Sequence, residues 1–382
     1  MTHKNIILLG ATGSIGTSTL NLIRKKREKF NLIGVSTYEK TEQLKLISKE
    51  FNVKNVCFFK NDQGTIFDES VKVMKGRQGL LELASLNCDI VVSGISGLAG
   101  LMPAYMALNN GNNIAIANKE PLVVAGNILL ECSKKNNVKI LPVDSEHNSI
   151  FQCFDNNLRE NISHITLTAS GGPFLNRSLN SFKEITIEEA LKHPKWEMGK
   201  KISIDSATLI NKALEVIEAG ILFELKSNQI KVVIHPESII HGLVHYKDGS
   251  VLANLALPDM ISPLSVAIGY PERYNLDLPK LNLVEVSQLN FLKPDLEKFP
   301  GLNFGWNALN APNYVSIILN AANEIAVDLF LKKRINFTSI VEIIDKCLND
   351  QNFKPAHNLD EILEIDRLSR VFAKKISEKF YV

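Results

Sequence analysis

Cysteine is scarce and unpatterned. Five occur in 382 residues (Cys57, Cys88, Cys132, Cys153 and Cys347), an odd number, far apart and without a CxxC pair. This excludes a disulfide framework and reads as reduced thiols in a cytoplasmic setting, most simply as small buried apolar residues. Excess charge of one sign is missing too: 43 Lys and Arg face 41 Asp and Glu, a net charge of +2. A protein whose affinity comes from neutralising many phosphates needs a basic stripe, so nucleic acid is not an expected partner. No uncharged apolar run approaches the roughly 18 residues of a membrane span, so no membrane partner is expected. The N-terminal Met1-Thr-His-Lys has no apolar region followed by a small-residue cleavage site, which reads against a signal peptide. Internal repeats and low-complexity tracts are also lacking. What remains is ordinary for a globular chain, with 45% hydrophobic and 22% charged residues. The length suggests two or three domains.

The first 145 or so residues alternate. Short apolar runs at Ile6–Leu9, Leu32–Val35, Val56–Phe59, Ile90–Val92, Ile114–Ala117 and Ile140–Val143 predict strands. Between them, Ile15–Lys26, Thr41–Phe51, Leu98–Asn109 and Pro121–Lys135 predict helices. Alternating strands and helices imply βαβ units and a mostly parallel sheet, with ligands at the carboxyl ends of its strands. After residue 150 the pattern changes. Ile165–Thr168, Ile230–Ile234, Ile239–Tyr246 and Ser250–Leu255 predict the strands of a mixed α/β region, with a turn at Lys247-Asp-Gly-Ser250. Pro271–Pro300 reads as a connecting segment, and Ile317–Lys333, Phe337–Leu348 and Asp360–Lys379 predict helices. The expected division is 1–149 for a Rossmann-like cofactor domain, 150–270 for a catalytic α/β domain, 271–296 for a linker and 297–382 for a C-terminal helical bundle.

Gly10-Ala-Thr-Gly13-Ser-Ile-Gly16 follows the first strand and opens the first helix. Glycines there let the backbone approach a pyrophosphate seated on the helix N-terminus. The spacing is GxxGxxG, with Thr12 where the common fingerprint has glycine, and a purely structural tight turn is the alternative. The end of the second strand, Ser36-Thr37-Tyr38-Glu39-Lys40, offers both an acid and a base. An acid there bonds a ribose 2′-hydroxyl and a base accommodates a 2′-phosphate. The choice between the two nicotinamide dinucleotides therefore stays open at this level.

Asp144-Ser145-Glu146 follows another strand. In extended chain both carboxylates point the same way. If Ser206–Glu215 is helical, Asn211, Lys212 and Glu215 share a face. Three carboxylates without cysteine or clustered histidine suit a hard cation such as Mg²⁺ or Mn²⁺. Solvated loop acids and a Lys212–Glu215 pair are the other reading, and pattern alone does not separate the two. Ala169-Ser170-Gly171-Gly172 can present N–H groups to an anion. Together with Ser206, Asn211, Lys212 and Lys119 it suggests a small phosphorylated substrate. Trp196, in the loop His193-Pro-Lys-Trp-Glu-Met198-Gly199-Lys200, is placed to close over a ligand or simply to anchor its loop.

In this order the pieces resemble the 1-deoxy-D-xylulose 5-phosphate reductoisomerase family. The blocks that carry the resemblance are Leu9–Gly16, Ala117–Glu120, Leu141–Asn148, Ser170–Phe174, His193–Ser203, Asp205–Thr208 with Asn211, Lys212 and Glu215, and Asn320-Ala-Ala-Asn-Glu324. The weakest stretches are 52–88 and 270–312. The resemblance implies that Thr12, Gly13, Ser14 and Ile15 hold the NADPH pyrophosphate, with Asn118, Glu120 and Gly199 also touching the cofactor. It implies one divalent cation, Mn²⁺ or Mg²⁺, on Asp144, Glu146 and Glu215. Lys119, Ser145 and Glu146 would meet the hydroxy-ketone end of the substrate. Ser170, His193, Ser206, Asn211 and Lys212 would cradle its backbone and phosphate. Trp196 and Met198 would lie on a flap near 193–201, and His241 and Met260 would line the pocket. Lys119, Glu146, His193 and Glu215 would be the catalytic set.

One departure stands out. Glu39 would repel a 2′-phosphate if it pointed inward, leaving Ser36, Thr37 or Lys40 to supply that contact. The implied reaction is a retro-aldol and aldol rearrangement followed by hydride transfer, giving 2-C-methyl-D-erythritol 4-phosphate, a precursor in isoprenoid synthesis. The family is typically homodimeric. Two rivals remain: a metal-independent NAD(P)-dependent dehydrogenase of another small substrate, and a nucleotide-sensing protein that kept the glycine loop. The second needs no acidic triad, so the carboxylates count against it.

Overall fold

The computed structural model describes residues 3–60, 64–196 and 198–382. Glu197, inside the expected flap, lies outside the described residues. The chain forms two compact units. The first comprises Met1–Pro121, Leu129–Asn148 and Asp259–Pro279; the second comprises Leu122–Ile128, Ser149–Pro258 and Lys280–Val382.

The first unit holds a seven-stranded sheet: β1 (Lys4–Leu9), β2 (Phe30–Thr37), β3 (Asn55–Phe58), β4 (Lys72–Lys75), β5 (Ile90–Ser93), β6 (Asn113–Ile116) and β7 (Ile140–Pro142). Their order is β4-β3-β2-β1-β5-β6-β7, with every pairing parallel. Crossover helices cover both faces, so the central strands are apolar without alternation: Ile6, Ile7, Leu8 and Leu9 of β1 are all fully buried. The strand order reverses between β1 and β5, and β1 leads into the glycine loop, which is where such sheets bind ligands.

The second unit holds a four-stranded sheet of β8 (Ile162–Ala169), β9 (Ile230–Ile234), β10 (Ile240–Tyr246) and β11 (Val251–Leu255), ordered β11-β10-β8-β9. Only β8 and β9 run parallel. The turn from β10 to β11 is as expected: Gly249 has φ 90° and Asp248 Oδ1 accepts from the Ser250 N–H at 2.8 Å. Helices Tyr314–Leu331, Phe337–Asp350 and Leu359–Ser377 pack on one another. Phe337 meets Phe174, Phe182 and Phe330, with ring centroids 5.3 to 6.0 Å apart. This aromatic cluster anchors the Ser170–Phe174 loop to the helices.

Several expectations need correction. β4 and the helix Gly76–Ala84 were not foreseen. β4 is an edge strand whose lysines break the apolar run. Asp144 and Glu146 are not in extended chain, because a helix begins at Ser145 and runs to Cys153. Asp144 is the residue before it, and its carbonyl accepts from the Asn148 N–H at 2.8 Å. Ser206–Glu215 is two helices, Lys200–Ala207 and Ile210–Leu222, broken where Leu209 adopts φ 58°. Tyr314–Leu331 is by length and composition apolar enough to cross a membrane, but Glu324 and Asp328 interrupt it, so it is not the uncharged run excluded above, and most of it is buried against its neighbouring helices.

On the second sheet His164 and His245 face each other across β8 and β10, rings stacked with centroids 4.0 Å apart. Thr166 and Ser163 hydroxyls bond their ring nitrogens at 2.9 and 3.1 Å. Lys231 on β9 is the charged neighbour. Burial, then repulsion from His245 and Lys231, lowers His164 from 6.5 to about 4. A histidine depressed on folding contributes stability that is fully present above the unfolded pKa and is lost as pH falls toward the folded one. The melting temperature should therefore fall as pH drops from 6.5 toward 4, and His164→Leu should flatten part of that slope. Parallel melting profiles for the two proteins would show that the pair carries none of it.

Candidate functional site

In the first unit the glycine loop shows three different uses of glycine. Gly10 has φ 81°, and a Cβ on it would lie 2.7 Å from the Gly94 carbonyl oxygen. A Cβ on Gly16 would lie 2.4 Å from the Gly10 oxygen, so the fold itself demands glycine there. A Cβ on Gly13 would meet nothing nearer than 3.5 Å. Gly13 is exposed, caps helix Ser14–Lys25 and offers no side-chain cap to its first turn. Its missing side chain leaves an open edge at a helix N-terminus, a cradle suited to phosphate.

Ser36 and Thr37 are buried and support that loop. Ser36 Oγ accepts from the Gly10 N–H at 3.1 Å, and Thr12 and Thr37 hydroxyls share a hydrogen bond of 2.7 Å. Lys40 is exposed at the start of helix Thr41–Phe51. Ser14 is exposed and Ile15 half-buried. Asn118 is buried, accepting from the Ser93 hydroxyl at 3.0 Å and donating to the Gly97 carbonyl at 3.3 Å. Glu120 opens helix Glu120–Lys135 and is buried.

Asp144, Ser145 and Glu146 are half-buried at the start of helix Ser145–Cys153. Lys119 is buried, with its Nζ 2.5 Å from Asp144 Oδ2. Ser145 Oγ donates to Glu146 Oε2 at 2.5 Å. The turn therefore holds two carboxylates, a hydroxyl and an ammonium side by side. Met260, half-buried, precedes helix Ile261–Gly269 in the same unit.

In the second unit Gly171 and Gly172 both have positive φ, 85° and 68°. A Cβ on Gly172 would lie 2.8 Å from the Ser206 carbonyl oxygen, so this loop presses onto helix Lys200–Ala207. Ser170 Oγ is 3.0 Å from His193 Nε2 and accepts from the Gly172 N–H at 3.2 Å. His193 Nδ1 accepts from the Lys195 and Trp196 N–H groups at 3.2 and 3.0 Å. Nδ1 is thus the acceptor and the neutral ring carries its proton on Nε2. That proton points to Ser170, whose own O–H is left to donate to an anion. Ser170, Gly172, His193 and Ser206 are thereby brought together.

On helix Ile210–Leu222, Asn211 Nδ2 donates to Glu215 Oε1 at 2.6 Å and Lys212 pairs with Glu215 Oε2. Lys212 and Glu215 are both buried. A buried carboxylate must be matched by cationic or hydrogen-bond partners. The expected face of Asn211, Lys212 and Glu215 is therefore present. Trp196 and Met198 are half-buried and Gly199 is exposed. The Trp196 ring lies 6.1 Å from that of buried His241, whose Nε2 is 3.3 Å from the Ala256 carbonyl.

Sequence reasoning gave no role to Asp205 and Asn323. Asp205 is buried, accepting from Asn323 Nδ2 at 2.9 Å and pairing with Lys201 at 2.8 Å. This ties helix Lys200–Ala207, which presents Ser206, to helix Tyr314–Leu331. The signal was present, since Asp205 and Asn323 stand in two of the motif blocks, but no spacing rule links residues 118 apart.

Residues 6–126 match the family model for 1-deoxy-D-xylulose 5-phosphate reductoisomerase. Residues 140–223 match its C-terminal domain, and residues 255–372 match a further DXP reductoisomerase C-terminal domain. The 1-deoxy-D-xylulose 5-phosphate reductoisomerase of Clostridium tetani is 46% identical over 99% of this chain and 100% of its own length. That of Thermoanaerobacter pseudethanolicus is 44% identical over 99% of both. A solved structure of DOX-P reductoisomerase in complex with NADPH, fosmidomycin and magnesium is 39% identical, with a TM-score of 0.92 over 97% of this chain and 98% of that one. The Zymomonas mobilis enzyme in complex with NADPH is 36% identical, with a TM-score of 0.91 over 99% and 100%.

The two glycines predict opposite phenotypes. Gly16→Ala forces a backbone clash and should cost about 2 kcal/mol or more in urea unfolding. Gly13→Ala should cost about 1 kcal/mol or less, the loss of a helix cap, while weakening dinucleotide binding. Equal destabilisation by both would make Gly13 a structural residue.

Proposed function

The chain belongs to the 1-deoxy-D-xylulose 5-phosphate reductoisomerase family, and on that premise we propose how its residues carry the reaction. The enzyme converts 1-deoxy-D-xylulose 5-phosphate to 2-C-methyl-D-erythritol 4-phosphate in isoprenoid precursor synthesis. It uses NADPH and a divalent cation, Mg²⁺ or Mn²⁺. The observation that carries the residue assignment is Glu215: a buried carboxylate on the same helix face as phosphate-suited Asn211 and Lys212. A metal-independent dehydrogenase has no use for it.

Bound NADPH supplies the hydride, and the bound cation supplies Lewis-acid polarisation of an α-hydroxy ketone. Asp144, Glu146 and Glu215 would hold the cation; they form an oxygen-only donor set, which suits a hard ion. Thr12, Gly13, Ser14 and Ile15 would hold the cofactor pyrophosphate, with Asn118, Glu120 and Gly199 beside the dinucleotide. In this assignment residues 1–149 are the cofactor-binding part.

The Lys119 ammonium, beside Asp144, is suited to stabilising negative charge that develops on a substrate oxygen. Ser145 and Glu146 would contact the same end of the substrate. The Ser170 hydroxyl, fixed by His193, donates to the phosphorylated end together with Ser206, Asn211 and Lys212. Trp196 and Met198 would close over the substrate, with His241 and Met260 lining the pocket, and closure keeps water from a reactive aldehyde. A cytoplasmic location and a homodimer complete the proposal.

Loss of NADPH absorbance should require both 1-deoxy-D-xylulose 5-phosphate and Mg²⁺ or Mn²⁺, stop on adding a chelator and return with excess metal. Glu215→Gln should lower turnover at least about 100-fold while NADPH affinity stays within about threefold. Oxidation that survives the chelator would favour a metal-independent dehydrogenase instead.

A further inference from the structure

The carboxyl ends of β2 and β3 carry two residue pairs with no part in the mechanism above. Tyr38 and Phe59 stack with ring centroids 5.4 Å apart and planes 16° apart, although they are 63% and 44% exposed. Glu39 and Lys60 form an ion pair at 2.9 Å. The backbone joins the two strand ends: the Phe59 N–H donates to the Thr37 carbonyl at 3.2 Å and the Lys60 N–H to the Tyr38 carbonyl at 2.8 Å. Lys60 therefore starts from a backbone fixed against the β2 turn. An exposed ion pair contributes little to stability. Stability alone does not explain keeping two large rings in water beside it.

In a βαβ dinucleotide fold the end of β2 is where the adenosine ribose is met. Glu39 stands there. Its hydrogen bond from Lys60 holds its carboxyl below the usual carboxylate range, so it is ionised at neutral pH. Unopposed, that charge would repel a 2′-phosphate. Lys60 opposes it, and Lys40 then leaves one positive charge in excess at the turn.

We infer that Lys60, reaching from β3 onto the β2 turn, is the residue that lets this chain accept a 2′-phosphorylated dinucleotide despite Glu39. Lys60 and Lys40 receive the 2′-phosphate, and the Tyr38–Phe59 stack keeps the two strand ends, and so the ammonium, in register. The inference rests on the NADPH assignment above and names a selectivity residue just beyond β3, distant in sequence from the glycine loop.

The test is direct binding to the full-length, substrate-free protein. NADPH and NADH are titrated by nicotinamide fluorescence, and adenosine 2′,5′-bisphosphate and 5′-AMP by calorimetry. Lys60→Met should weaken NADPH about tenfold while NADH moves less than about twofold. Adenosine 2′,5′-bisphosphate should follow NADPH, and 5′-AMP should follow NADH. Glu39→Gln should tighten NADPH, and Glu39→Gln/Lys60→Met should bind it better than Lys60→Met alone. Both substituted positions are exposed, and unchanged melting curves should accompany these shifts. A Lys60→Met protein in which the NADPH to NADH affinity ratio is unchanged overturns the inference while leaving the enzyme assignment intact. Wild-type protein that binds neither dinucleotide contradicts the assignment itself and the inference with it.

Discussion

An ionised carboxylate out of water must be matched by a cation or by several hydrogen bonds, and the proposed metal ligands in each unit meet that constraint. Asp144 has the Lys119 ammonium against it in the first unit; Glu215 has Lys212 and Asn211 in the second. Removing one member of such a pair leaves an uncompensated charge, a cost of about 3–5 kcal/mol where the pair is fully buried. These acids and bases are therefore placed together or not at all. A cation that binds such acids offers them a second way to be matched and leaves the ammonium groups for a substrate anion. The near balance of 43 basic and 41 acidic residues fits this local matching. No global field is needed when each anion is met where it lies.

The scaffold serves that matching. The parallel sheet delivers the glycine loop, the β2 turn and the Lys119 and Asp144 turns from the carboxyl ends of β1, β2, β6 and β7. In the second unit the buried Asp205, held by Asn323 and Lys201, fixes the helix that carries Ser206. The aromatic cluster around Phe337 fixes the loop that carries Ser170. Leu209, a non-glycine residue at φ 58°, breaks the chain between these helices so that Ser206 and Glu215 lie on separate segments. Left-handed backbone is unfavourable for leucine by roughly 1–2 kcal/mol, and the burial of Leu209 offsets it.

Periodicity revealed the elements whose burial is complete or regular. Thr41–Phe51 and Ile230–Ile234 have the expected bounds. The seven-strand sheet was visible as six apolar runs, and the missing one, β4, is an edge strand with lysines at both ends. The helix at Ser145–Cys153 was hidden because its start, Ser145-Glu-His-Asn, is polar throughout and resembles a loop. Site residues were legible where chemistry and spacing coincide, as in Asn211, Lys212 and Glu215 one helical turn apart. They were illegible where partners come from remote segments: Lys60 for Glu39, Asn323 for Asp205, Ser93 for Asn118. Ser36 and Thr37, expected toward the cofactor, also support the glycine loop, a contact with Gly10 and Thr12 that no spacing rule shows.

The central claim is that the carboxylates matched by lysine are the ones that take a cation. Mn²⁺ binding to chelator-stripped protein, followed by electron paramagnetic resonance, measures this without turnover or cofactor. One Mn²⁺ per chain should bind to the wild type, and Asp144→Asn should abolish that binding while its melting curve still shows a folded protein. Undiminished Mn²⁺ binding by folded Asp144→Asn, or no binding by the wild type, would contradict the claim.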